Sequence, residues 1–146
     1  SAMRKNGFTL VELLVTLSVM ALLASAVTLT MGGGSKVGSE AARFASRVAA
    51  TRDQAILGGT AMGIWVSPSG YGFERFEAGG WQPWEARPLV QRDWAKGIVP
   101  SLGGSSAQRI RFDPVGLPSE PSAVTLAGDD RSVRVTVDAT GEVSVK

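Results

Sequence analysis

The chain contains no cysteine and no histidine. Without a thiolate or an imidazole, zinc sites and nucleophile chemistry of the Cys or His kind are excluded, and the commonest general base is missing too. Carboxylates remain as possible metal ligands, but Asp129, Asp130 and the scattered Glu residues show no ligand spacing such as that of an EF-hand loop. No nucleophile–base pattern stands out either, so the sequence predicts no enzyme, no cofactor and no metal. The lack of cysteine leaves the redox compartment open, since an extracytoplasmic domain can use disulfides without needing them. Clustered charge of one sign is also absent. Arg4 and Lys5 are two of the 15 basic side chains; set aside, they leave 13 basic against 13 acidic residues, with the signs interleaved along the chain. Nucleic-acid binding calls for a clustered basic face, so that partner is disfavoured.

What the sequence does have is one long apolar run. Residues 8–31 contain a single ionisable side chain, Glu12, close to the start of the run. At the rise of an α-helix the run spans about 36 Å, enough for a bilayer core of about 30 Å, so residues 8–31 are expected to form a transmembrane helix. A carboxylate inside such a segment is costly and by default functional, the plain alternative being a helix-end side chain that reaches back to the headgroups. The run is too long for the apolar part of a secretory signal, its basic region is only Arg4 and Lys5, and no small-residue cleavage site follows it. Ser1 and Ala2 precede Met3 and read as an expression scar.

The stretch GFTLVELL at residues 7–14, behind a basic leader at residues 3–7, resembles the prepilin processing motif of type IV pilins and type II secretion pseudopilins. The resemblance implies that a membrane aspartyl peptidase, the prepilin peptidase, cuts between Gly7 and Phe8 and methylates the new amine of Phe8. It also implies a partner for that amine. An unpaired cation among apolar helices is costly, and Glu12, one helical turn away, supplies the compensating charge during assembly.

Gly32, Gly33 and Gly34 then weaken the helix, and residues 32–38 are expected to form a glycine-rich hinge. Ser39 is the expected cap of a second, amphipathic helix over residues 39–57. On a helical wheel Val37, Ala41, Phe44, Ala45, Val48, Ala55 and Ile56 form one stripe, with Glu40, Arg43, Ser46, Arg47, Asp53 and Gln54 opposite. Arg52 falls inside the apolar stripe. Gly58 and Gly59 end the helix.

From Thr60 the signals are those of strands. Extended segments are expected at residues 61–66, 71–77 and 81–90, the last held to an edge or loop by Pro83 and Pro88. Residues 97–106 read as loop. Short strands follow at 108–112 and 123–126, then a hairpin of 132–137 and 142–145 around the turn Asp138, Ala139, Thr140, Gly141. Trp65, Trp81, Trp84 and Trp94 crowd into this region, either as strand packing or as a contact surface for a neighbouring subunit, and the sequence does not separate the two.

The succession of long helix, meandering strands, the element Arg111, Phe112, Asp113, Pro114, Val115, Gly116 and a terminal hairpin resembles the H-type minor pseudopilins and their FimT-like pilus relatives. That family implies an α+β pilin fold, a long N-terminal helix (membrane half plus amphipathic half) packed on antiparallel sheets, with residues 39–146 as a periplasmic domain. It implies a structural subunit of the type II secretion pseudopilus, single-pass in the inner membrane. Its partners would be the prepilin peptidase, major and minor pseudopilins and the inner-membrane secretion platform. No acidic cluster matches the calcium loop of major pseudopilins, which points to a minor subunit. The competing expectation is a FimT-like minor pilin active in pilus assembly or DNA uptake. In DNA-capturing relatives a Gly-Arg-x-Arg type element gathers charge near the C-terminus, whereas here Gly141 is followed by Glu142.

Overall fold

The computed structural model describes residues 9–31, 35–129 and 131–146, and of residues 23–31 the backbone alone. Two compact units divide the chain at Ser35 and Lys36. In the first, helix α1 (Leu10–Met31) follows from a mostly apolar run with Glu12 as its one charged residue. Its side chains from Leu10 to Leu22, where described, are exposed on every side. Among the described residues no helix is long and apolar enough to cross a membrane. The span expected over residues 8–31 is therefore taken up below as a proposal.

The second unit is a helix on two antiparallel sheets. Helix α2 (Lys36–Gly58) begins three residues before the expected start. Ser39 is thus no cap: it lies exposed inside the helix, and Ser35 occupies the capping position. The reason is Val37, which is 2% exposed and adds an apolar contact one turn ahead of Ala41. Its burial outweighs the roughly 1 kcal/mol penalty of Gly38 in a helix. Residues 36–38 of the expected hinge are accordingly helical, while residues 32–34 lie outside the described ones.

The stripe on α2 is as read for Val37, Ala41, Phe44, Ala45, Val48 and Ala55, all buried. Two positions differ. Ile56, assigned to the stripe, is 48% exposed at the helix end, and Glu40, assigned to the polar face, is buried. Glu40 can be buried because its carboxylate accepts the backbone N–H of Ala95, a partner from a distant loop that no wheel can show.

The first sheet contains β1 (Met62–Val66), β2 (Gly70–Glu77), β3 (Gly80–Pro83), β4 (Arg92–Asp93) and β6 (Gln108–Phe112), ordered β3-β2-β1-β6 with β4 also on β2. Registry places Ile64 opposite Phe73 on one side and Ile110 on the other, so the inward rows of three strands coincide. The second sheet is β5 (Val99–Ser101), β7 (Ser122–Ala127), β8 (Ser132–Val137) and β9 (Val143–Val145) in that order. Along β8 the burial alternates with a period of two, Val133, Val135 and Val137 facing inward. Helix α2 lies against β1 and β6 of one sheet and β7, β8 and β9 of the other, and so closes a core between them.

Two strand expectations change. The extended segment at 81–90 stops at Pro83, and Ala86 and Leu89 pair across a turn instead. The expected loop at 97–106 contains β5, which pairs with β7 and buries Pro100 opposite Leu126. Proline is tolerated there because β5 is an edge strand, where one missing N–H donor leaves no ladder bond unmade.

Candidate assembly site

Of the residues expected to carry processing and assembly, Gly7 and Phe8 lie outside the described residues. Glu12 is described, and sits in the first turn of α1. The hydroxyl oxygen of Thr9 accepts the N–H of Glu12 at 3.0 Å, and the Thr9 carbonyl accepts the N–H of Leu13 at 3.0 Å. Thr9 is thus the N-cap, and Glu12 stands at the third helical position, where a carboxylate faces the positive end of the helix dipole. Thr9-x-x-Glu12 is the pattern of a capping box, a signal present in the sequence that the motif reading passed over. Farther along, the hydroxyls of Thr16 and Ser18 donate to the carbonyls of Glu12 and Leu14 at 2.9 and 2.8 Å. The hydroxyls of this stretch are thus satisfied by the helix backbone, which leaves the Glu12 carboxylate as its charged group.

In the second unit the four tryptophans separate. Trp94 is core: its ring lies 4.7 Å from that of Tyr71 and 5.3 Å from that of Phe44, and its indole N–H donates to the Ser67 carbonyl at 2.9 Å. Trp84 is half-buried against the core. Trp65 lies over Gly72, so closely that a Cβ on that glycine would stand 2.4 Å from the indole. Trp81 packs edge-on against Phe76 and takes the Arg111 guanidinium over its ring at 4.2 Å. Arg111 and Arg109 in turn flank the buried carboxylate of Glu74 at 3.2 and 3.5 Å.

The Arg111-to-Gly116 element resolves into a strand end and an Asx turn. The Asp113 carboxylate accepts the N–H groups of Val115 and Leu117 at 3.0 and 2.9 Å. Asp138 does the same for Thr140 and Glu142 in the terminal hairpin, and also accepts the Thr140 hydroxyl. That hydroxyl, followed by the backbone donor of Glu142, holds the Asp138 carboxyl below its ordinary value of 3.8. Arg52, the anomaly of the apolar stripe, donates to the Gly141 carbonyl at 2.8 Å, tying α2 to the same hairpin. Among the described residues no cluster of three or more acidic side chains could hold a metal ion.

With that geometry in view, two family descriptions match the chain. The prokaryotic N-terminal methylation motif covers residues 2–28, and the description "Type II transport protein GspH" covers residues 40–141. The chain belongs to the GspH family. A curated relative, type II secretion system protein H of Aeromonas hydrophila, is 33% identical over 73 residues, which are 48% of this chain and 40% of that protein. The chain thus spans less than half the length of that curated relative in the match. Among solved structures, the minor pseudopilin EpsH of Vibrio cholerae superposes with a TM-score of 0.65 at 21% identity, covering 77% of this chain and 97% of that one. E. coli GspH gives a TM-score of 0.58 at 20% identity, over 73% of this chain and 84% of that one. The type IV minor pilin FimU of Pseudomonas aeruginosa gives 0.59 at 14%, over 76% and 88%. These likenesses establish the helix-on-antiparallel-sheets pilin fold.

Proposed function

We propose that the chain is a minor pseudopilin, a structural subunit of the periplasmic pseudopilus that drives export of folded proteins by the type II secretion system. The observation that carries this reading is the pairing, in one chain, of the methylation motif over residues 2–28 with a GspH match over residues 40–141. In this reading residues 8–31 anchor the chain in the inner membrane and residues 36–146 stand in the periplasm. The exposed apolar side chains from Leu10 to Leu22 suit that role, since such a surface requires lipid or neighbouring helices around it. The prepilin peptidase cuts between Gly7 and Phe8 and methylates Phe8. Glu12, four residues on in the sequence, neutralises that amine as subunits pack with other pseudopilins on the secretion platform. The role is mechanical and calls for no catalysis and no cofactor on this chain. The pilus reading draws on the FimU likeness, which extends to the fold alone.

Mass spectrometry of the protein recovered from its native host tests the processing step. A methylated Phe8 N-terminus is expected, and an intact leader would sink the reading. A bulky residue in place of Gly7 should leave an uncleaved precursor in the membrane, because a side chain at the scissile bond obstructs the peptidase. Loss of the chain should reduce export of folded proteins while leaving pilus-dependent functions intact; the reverse outcome favours the pilus reading.

A further inference from the structure

A cleft of about 410 Å³ opens between α2 and the β2–β4 corner, lined by Glu40, Arg43, Arg47, Tyr71, Arg92 and Asp93. Arg43 and Arg47 are four residues apart on α2 and so point to the same side. Arg92 arrives from β4, which is held on β2 by the pairing of Arg92 with Tyr71 and of Asp93 with Gly70. Gly70 permits that approach: a Cβ there would stand 2.2 Å from the Arg92 carbonyl oxygen. Three guanidinium groups therefore converge on one opening, and among the described residues none of them forms an ion pair. The two carboxylates do not answer them. Glu40 is turned to the Ala95 N–H, and Asp93 is exposed at the rim. Arg47 donates to the Tyr71 hydroxyl at 2.5 Å, so that oxygen is an acceptor already in use. Its own hydrogen has no acceptor among the described residues, and the side chain lines the cleft from its buried side, 1% exposed. Burial pushes the Tyr71 hydroxyl above its ordinary value of 10.0, which keeps that hydrogen in place at neutral pH.

We propose that this cleft binds the side-chain carboxylate of an Asp or Glu residue carried by another protein chain. Three like charges at one opening, only partly offset by Glu40 and Asp93, favour a further anion. Guanidinium forks match a carboxylate in geometry, and the buried Tyr71 hydroxyl holds one of them, Arg47, in place. The charge selects between anions. Three arginines beside Glu40 and Asp93 leave one positive charge, which a monoanionic carboxylate cancels, whereas a dianionic phosphate would add surplus negative charge beside two carboxylates. The size selects the source. At about 30 Å³ per water the cleft holds on the order of a dozen waters, room for a side chain with its flanking backbone and far more than a free acetate fills. The chain-borne source rests on the filament-subunit reading above, in which other subunits pack around this chain.

The test uses the full chain in detergent micelles, following arginine Nε–H and Tyr71 signals by NMR. The probes are the blocked tripeptide acetyl-Gly-Glu-Gly-amide, its Gln counterpart, acetate and inorganic phosphate. The Glu peptide is expected to shift the Arg43, Arg47, Arg92 and Tyr71 signals saturably, with acetate weaker and the Gln peptide without effect. Arg92→Gln, at an exposed position outside the core, should weaken the Glu peptide about tenfold, the loss of one charge-assisted partner. Arg134→Gln, on β8 of the other sheet, should leave it unchanged. No saturable shift, an equal response to the Gln peptide, or undiminished affinity in Arg92→Gln overturns the proposal. Tighter binding of phosphate reassigns the cleft to phosphate groups, and binding of acetate equal to that of the peptide reassigns it to free carboxylates. Both outcomes overturn the chain-borne source. Because binding is read on the isolated protein, its failure leaves the export phenotype standing, and loss of that phenotype leaves the binding result standing.

Discussion

Glu12 joins a motif read in the sequence to a geometry read in the structure. The Thr9 cap fixes the first turn of α1, so the carboxylate position is set by local hydrogen bonds and not by a distant fold. Glu12→Val should leave membrane residence and cleavage intact, since the segment becomes more apolar and the scissile bond is unchanged. Incorporation into filaments should fall, because the methylated amine would enter an apolar bundle without its counter-charge. Co-purification with filament partners measures this; wild-type yield together with normal export would remove the role given to Glu12. Asp138 makes a different point at the same scale. Its carboxyl is held low by the Thr140 hydroxyl and the Glu142 N–H, so its contribution to stability is present above the ordinary value of 3.8 and is lost as pH falls through the lower folded value. Asp138→Asn should therefore melt below the wild type at pH 6, with the gap closing below about pH 4. A gap of the same size at pH 3 would show that the turn depends on shape and not on charge.

Among the elements, β4 depends on a close approach at one glycine. It is two residues long and pairs only with the start of β2, where Gly70 lets the Arg92 carbonyl come close. Gly70→Ala places a methyl against backbone, which cannot swing away as a side-chain end would. Destabilisation of about 1–3 kcal/mol is expected, with loss of the β2–β4 pairing. Hydrogen exchange should show the Trp94 amide, which donates to the Ser69 carbonyl at 3.1 Å, losing protection while β1 and β6 keep theirs. Unchanged protection at Trp94 would show that the chain can move aside without cost. Helix α2 was legible along most of its length because its apolar spacing repeats over many residues. Its ends were not. The start was decided by the burial of Val37; at the other end Ala55 is fully buried while Ile56, one residue on, is 48% exposed beside Gly116.

The whole chain divides into a helix that buries none of its described side chains and a unit with a core of its own. Phe44 is the centre of that core, 5.0 Å from Tyr71 and 5.3 Å from Trp94. Residues 36–146 produced alone should be monomeric, show mixed helix and strand by circular dichroism, and melt cooperatively. Within that fragment Phe44→Ala should cost about 3–5 kcal/mol, since the rings against it, Tyr71 on β2 and Trp94 after β4, are each held by their own hydrogen bonds and cannot collapse together onto the void. Aggregation or a largely unfolded spectrum of the fragment would place the boundary elsewhere.

The sequence by itself determined what depends on neighbours along the chain. The methylation motif, the apolar run, the amphipathic stripe and most strands rest on spacing over a few residues, and spacing is what a sequence displays. Even Thr9 and Asp138, which act through hydrogen bonds at three or four residues' distance, were within reach of that reading. Tertiary structure alone decided the rest, because it concerns groups far apart in sequence. Glu40 is buried since a loop N–H some 55 residues away satisfies it. Strand β5 exists because β7 offers it a ladder. Trp81 lies under Arg111 because the first sheet brings β3 and β6 together there, and Trp94 sits in the core because its amide and indole N–H groups bond the Ser69 and Ser67 carbonyls. The arginine cleft belongs to this second kind. Arg43 and Arg47 read as a solvated helix face until β2 brings Arg92 beside them. A charge's role is set by what surrounds it in space, and no local pattern carries that.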